Sequence, residues 1–347
     1  MKNLILILCS ICTLVSCAQK QQTNNDTKNK TMKNEEITFE NVIEKTLEKV
    51  KHYEKESQYF IRPLQNNCVY ELLVNDFPVY KDYGIEKLGT PININGVILQ
   101  SGPQTVTVRL YPLGDALKRA YGEGETITTL LPKTEMKIKV VKYEAFNISD
   151  ELEDEIVVKE HTSPAKEDSE EFEGAGLPYY EYTFTFNAEV PYKNEGWSNG
   201  ENLTKFEKNE LEGKVLSYYK MYKKLHADKK LDNIIRLEFD QELRKSRALY
   251  KSRQDIEDVW NEYKSEFDFQ NLEYQPIENY ELSFYGNGKV VCLKFPSKEP
   301  VDRRHRGKGA FWFKFKRSVN GSKRARWTNI YLYLPKGQPL DSLQMIP

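Results

Sequence analysis

Arg303, Arg304, Arg306, Lys308, Lys314, Lys316, Arg317, Lys323, Arg324 and Arg326 crowd into one stretch near the end of the chain, interleaved with Phe311, Trp312, Phe313 and Trp327. A planar guanidinium fork matches carboxylate and phosphate. The stretch marks Arg304, Arg306, Lys308, Trp312 and Arg324 as candidate binding residues for lipid phosphate, an anionic polysaccharide or an acidic partner protein. Two plainer readings stand beside this one. The cations would be solvated hairpin loops, or internal partners of the acidic stretch Asp150 to Glu173.

Groups that break bonds are harder to assemble. There is no G-x-S-x-G elbow and no H-E-x-x-H. Gly286-Asn287-Gly288-Lys289 and Gly307-Lys308-Gly309 lack the spacing of a phosphate loop. His52, His161, His226 and His305 are scattered without zinc-like spacing. The acidic stretch lacks the EF-hand pattern and reads as a solvated loop. No catalytic residue, metal or cofactor is expected on these grounds. Cys68 and Cys292 either form one bridge or act as small buried hydrophobes; spacing alone leaves both open.

The first seventeen residues carry the most specific chemistry. Lys2 precedes an apolar run, Leu4 to Val15, and then Leu14-Val15-Ser16-Cys17 meets a polar segment. The run is too short for a spanning helix, which needs about 20 apolar residues. A charged start, an apolar centre and a small-residue site make a signal peptide. The four residues ending in Cys17 resemble the lipobox of bacterial lipoproteins. That resemblance implies a lipid on Cys17, a mature chain beginning there, and attachment to a membrane rather than passage through it. Ala18 is not the aspartate that often retains such proteins at the inner membrane, so the resemblance favours the outer membrane, in its periplasmic or surface leaflet. Export in turn argues against nucleic acid, as does a net charge of −1.

These residues need elements to position them. Residues 17–36 are Gln, Asn, Lys and Thr with few apolar side chains, which predicts a flexible tether. Ile37 to Tyr59 reads as a helix capped by Thr38, with Val42, Ile43, Leu47, Val50 and Tyr53 as its stripe. Short strand-like runs follow at Val69–Val74, Phe77–Tyr80, Val97–Leu99, Thr105–Tyr111, Met136–Tyr143 and Tyr180–Ala188, the last three alternating, with Asn75-Asp76 as a turn. They predict an antiparallel β-sandwich, and the segments 71–80 and 92–112 resemble the halves of a ligand-binding jelly-roll. From Asn202 or Thr204 the period changes to helical, with further helices at Leu231–Tyr250 and Asp255–Phe267. Strands return at Tyr280–Tyr285, Lys289–Phe295, Phe311–Phe315 and Trp327–Leu334, the first two joined at Gly286-Asn287-Gly288.

The expected fold class is α+β: an N-terminal helix and jelly-roll-like sandwich, a helical middle segment, and a helix with an antiparallel meander. Expected divisions are a signal peptide at 1–16, the tether at 17–36, a sandwich domain with its N-terminal helix at 37–195 and an α+β domain at 196–347. The expected function is a lipid-anchored, non-enzymatic binding protein of the bacterial envelope, in a narrower form an immunity protein that neutralises a toxin. The alternative is an envelope hydrolase on glycan or lipid, with converging carboxylates in a cleft between sandwich and helices.

Overall fold

Period-two patterning in the first half of the chain places its strands in two antiparallel sheets. The computed structural model describes residues 33–144, 155–298, 300–316 and 321–347. The expected signal peptide, Cys17, most of the tether, the start of the acidic stretch and Arg317 lie outside them. A short helix, α1 (Val42–Leu47), comes first. The strands are β1 (Gln58–Asn66), β2 (Val69–Val74), β3 (Phe77–Asp82), β4 (Ile92–Asn93), β5 (Gly102–Tyr111), β6 (Glu135–Tyr143), β7 (Ile156–Thr162) and β8 (Tyr180–Ala188), with α2 (Ala116–Tyr121) inserted after β5. One sheet runs β4-β1-β6-β7 and the other β3-β2-β5-β8. Ile61, Met136, Ile138 and Val140 of the first pack in one core with Leu72, Val106, Val108 and Leu110 of the second.

The second half is α3 (Lys208–Ala227), α4 (Leu231–Ala248) and α5 (Arg253–Glu266), then β9 (Gln270–Tyr274), β10 (Glu281–Tyr285), β11 (Val290–Lys294), β12 (Phe311–Lys316), β13 (Lys323–Thr328), β14 (Leu332–Tyr333) and β15 (Gln344–Met345). These strands form sheets β10-β11-β14-β15 and β13-β12-β9. The fold is α+β. Leu211, Val215, Tyr219 and Tyr222 of α3 pack on Val291, Leu293, Phe311 and Phe313. The sandwich core continues past residue 196 into Trp197, Tyr285, Val290, Cys292 and Tyr333.

Two hairpin tips join these halves. Asn75 and Asp76 both have positive φ, 53° and 57°, as a tight I′ turn requires. The Asp76 carbonyl accepts from Gly286 N at 2.8 Å, and its carboxylate accepts from Asn287 N at 2.7 Å. A side chain at Gly286 would meet Trp197 at 2.5 Å, so only glycine fits.

Several expectations need correction. The helix expected over Ile37–Tyr59 ends at Leu47, and β1 takes over at Gln58. Its apolar stripe is split: Val42, Ile43, Leu47 and Val50 join a core with Ile235, Phe239, Ile256 and Trp260 of α4 and α5, while Tyr53 packs on the sandwich core. Pro63 is tolerated inside β1, because it lies beyond the two residues that β4 pairs, where β1 has a single neighbour. Residues Asn95–Val97 form a 3₁₀ turn, not the start of a strand. Part of the expected acidic loop is β7, an edge strand whose exposed charges suit a sheet margin. Asn202 caps a 3₁₀ turn at Leu203–Lys205, while Glu207 caps α3. A capping box between Ser252 and Asp255 starts α5 two residues before the expected point. Among the described residues no helix is long and apolar enough to cross a membrane.

Candidate functional site

Helix α4 turns Glu238, Gln241, Glu242 and Lys245 toward a cavity of about 770 Å³. Its walls are α4, α5, β13 and two pieces of the sandwich, Phe77–Val79 and Asn93–Val97. Glu238 and Glu242 stand one helical turn apart, so they share a face. Tyr222 Oη donates to Glu238 Oε1 at 2.8 Å and Gln241 Nε2 donates to Oε2 at 3.3 Å. Lys245 Nζ lies 2.7 Å and Tyr263 Oη 3.3 Å from Glu242 Oε1. At the end of α5, Glu266 pairs with Arg326 at 2.5 Å and has His226 Nε2 at 3.6 Å. Arg244, also buried, fixes α4 to its surroundings: it donates to Pro347 O at 2.8 Å and to the Gly96 carbonyl, and lies over Trp197.

The two carboxylates on α4 are driven apart. Burial and the neighbouring Glu242 raise Glu238 to about 7. Burial also pushes Glu242 upward, but Lys245, Lys251 and Tyr263 outweigh it and hold this group below the usual carboxylate value. A protonated acid beside an ionised one is the arrangement that general acid–base chemistry uses. Access weighs against it. Glu238 is 2% exposed and both its oxygens are occupied by side chains of the protein. Among the described residues no group of three or more His, Cys, Asp and Glu is placed to hold a metal.

A second polar centre, which sequence reasoning did not single out, surrounds Glu71 on β2. Every residue of β2 is buried, Glu71 included. Its Oε1 accepts from Ser297 Oγ at 2.5 Å and from the Tyr83 hydroxyl, and its Oε2 accepts from Tyr111 Oη at 3.2 Å. Arg109 Nη1 is 3.9 Å away. Lys294 Nζ and Arg306 Nε both bond to Ser297, at 2.9 and 2.7 Å. Burial would raise the Glu71 pKa; Lys294, Ser297, Tyr83 and Arg109 outweigh burial and lower it. Lys81, which donates to the Gly307 carbonyl at this seam, is pushed down to about 8 by burial. The only signal in the sequence was an acid inside an otherwise apolar strand.

The five binding candidates do not share one surface. Arg304 is exposed and grips Asp302 at 2.6 Å. Arg306 is 5% exposed, not a surface residue: its guanidinium lies 4.2 Å over the Tyr83 ring. Trp312 stacks on its cross-strand partner Trp327 at 5.5 Å, and Lys308 Nζ sits 3.7 Å above Trp327. Arg324 is exposed but opposes Phe315, so it lies on the other face of the hairpin from Trp312. The Trp312 face also carries Lys314, Lys316 and Lys323 by alternation and register. Cys68 and Cys292 are both buried and free. Cys68 Sγ is directed at Glu135 O, whereas Cys292 pairs with Ser283 in another sheet. Burial raises each thiol to about 12, which keeps it inert.

Comparison with protein-family models, with curated proteins and with solved structures returned no match.

Proposed function

We propose that this chain is a lipid-anchored, non-enzymatic binding protein of the bacterial envelope, attached through Cys17 to the outer membrane. In its narrower form it is an immunity protein that neutralises a toxin. The observation that carries the reading is the solvent face of the β12–β13 hairpin. There Lys308, Lys314, Lys316 and Lys323 surround the stacked Trp312 and Trp327. Amphipathic rings and flanking cations make a contact surface for an acidic protein. The acidic groups suited to catalysis, by contrast, are enclosed and internally partnered.

The test is a pull-down with the full chain from detergent-solubilised envelope and culture supernatant, repeated with Lys314, Lys316 and Lys323 all replaced by Glu. One acidic protein retained at equal stoichiometry by the native chain and lost by the variant is the expected result. Retention by both would remove this face from the reading, and no stoichiometric partner for either would end the protein-binding form of it.

One observation favours a second reading, an envelope hydrolase: the separated states of Glu238 and Glu242 in a cleft between sandwich and helices. On that reading Glu238 is the acid and Glu242 the base. Turnover of isolated envelope glycan or lipid that disappears in Glu242→Gln is the expected outcome; absence of turnover by the native chain discards the reading.

A further inference from the structure

A separate cavity, of about 780 Å³, lies between the β5–β8 end of the sandwich and the segment that follows β11. Its sandwich wall belongs to a small apolar cluster. Val69, Tyr111, Leu113 and Ala116 are buried there, while Ile127 and Tyr179 stay half-buried and line the cavity. The opposite wall presents Lys298, Arg303 and Arg306. Two of these cations are already held against rings. Lys298 Nζ is 3.9 Å from the centre of Tyr179, and the Arg306 guanidinium lies over Tyr83 and, at 5.3 Å, over Tyr111. Among the described residues one acid, Asp115, lines the cavity, and it is engaged by Arg119. The sandwich side also brings Thr126 and Thr128 and the other side Pro300 and Val301, so the cavity is mixed in polarity, with apolar surface on both sides and its cations on one.

We propose that this cavity binds an anionic amphiphile: a molecule with an extended apolar body and a single carboxylate or phosphate head. The body would lie on Ile127, Tyr111 and Tyr179, where apolar area leaves water. The head would meet Arg303 and Lys298, two lining residues that are also exposed to solvent. A cation packed on a ring is positioned before the ligand arrives, which lowers the ordering cost of binding. A cationic amphiphile would meet like charge. The proposal rests on the binding reading and names a small ligand for it, in a cavity that Lys308, Lys314, Lys316 and Lys323 do not line.

The experiment is calorimetric titration of the full chain carrying Cys17→Ser, so that no attached acyl chain competes. Dodecanoate and dodecyl phosphate are the probes, with dodecyltrimethylammonium and inorganic phosphate as controls. Both anionic amphiphiles are expected to saturate one site below their micelle concentrations, and the tighter of the two identifies the head group. Reversing Lys298 and Arg303 together to Glu is expected to weaken both by about tenfold or more, the loss of at least one charged hydrogen bond. These two residues are exposed, so the variant keeps its melting temperature. Ile127→Asp is expected to weaken binding similarly. Equal binding of the cationic amphiphile, equal binding of inorganic phosphate, unchanged affinity after charge reversal, or no saturable site for either anion would each overturn the proposal. None of these results alters capture of a protein through Lys314, Lys316 and Lys323, and failure of that capture leaves the titration intact.

Discussion

Glu71 and Glu238 are buried to nearly the same depth, 6% and 2% exposed, yet one is held as a carboxylate and the other pushed toward the neutral acid. Burial acts on both in the same direction, because removing water disfavours the charged form. The neighbours differ. Glu71 sits at a seam where β5, the end of β11 with the segment after it, and the residue following β3 bring Lys294, Arg109, Ser297, Tyr83 and Tyr111 around it. Glu238 sits one turn from Glu242, and the nearest cation, Lys245, bonds to Glu242 instead. Depth alone therefore says little about the state of a buried acid. What decides is whether a different element supplies the counter-charge, as at the seam, or the same helix supplies a competitor, as in the cleft.

The largest test of this contrast removes the charge at the seam. Glu71→Gln keeps the shape but takes the charged acceptor from Ser297, Tyr83 and Tyr111, while Arg109 keeps Glu181 at 2.7 Å and Lys294 keeps Glu281 at 3.7 Å. A hydrogen bond to a charged group is worth about 1.5–3 kcal/mol, so with three of them affected a loss of about 3 kcal/mol or more is expected in urea unfolding at neutral pH. A loss below about 1 kcal/mol would mean that water screens the seam as it does a surface pair, and the contrast would collapse.

Glu238→Gln is expected to act in the opposite sense, and its effect depends on pH. The folded chain raises Glu238 from 4.5 to about 7, so between those values it holds a proton that the unfolded chain has released. Stability is then full below about 4.5 and falls as pH rises through about 7, by on the order of 3 kcal/mol for this one group. Glu71 has the reverse sign: its lowered value contributes stability above 4.5 that is lost on acidification through its folded value. The Gln variant at position 238 should match the native chain near pH 4 and exceed it near pH 8. Parallel stability curves for the two proteins across that interval would show that Glu238 is ionised in the fold.

Much of the scaffold around these two acids was legible in the sequence. The apolar run Val69–Val74 and the alternation in Tyr180–Ala188 give β2 and β8 at their observed bounds, and Leu231 opens α4 where the helical period begins. Asn75-Asp76 forms the expected turn. These features are local, set by side-chain period and by which residues tolerate positive φ. The acids themselves were not legible. Ser297 is 226 residues from Glu71 in sequence, and Tyr222 is 16 from Glu238, so neither partnership leaves a short-range pattern. The same limit misassigned α1, whose stripe was read correctly as apolar but whose partners, α4 and α5, lie far along the chain. Arg306 was singled out by charge and aromatic neighbours; Tyr83, the ring it rests on, belongs to the other half.

The smallest effect is expected where the pairing geometry looks best. Arg304 meets Asp302 through two nitrogens, with three contacts of 2.6, 3.1 and 3.1 Å, and it draws the Asp302 carboxyl well below the usual range. Judged by distance, this ion pair is closer than Arg109 is to Glu71, 2.6 against 3.9 Å. Both partners are exposed, however, so water and salt already stabilise each charge alone. Asp302 also accepts from Arg304 N at 2.9 Å, and its carbonyl accepts from His305 N and Arg306 N, so the turn keeps its backbone bonds without the guanidinium. Arg304→Ala should leave the melting temperature unchanged at physiological salt, and a differential scan against the native chain checks it. A marked drop would mean that pairing geometry, rather than burial with a counter-charge from another element, sets the energetics here, and the distinction between Glu71 and Glu238 would have to be rebuilt on that basis.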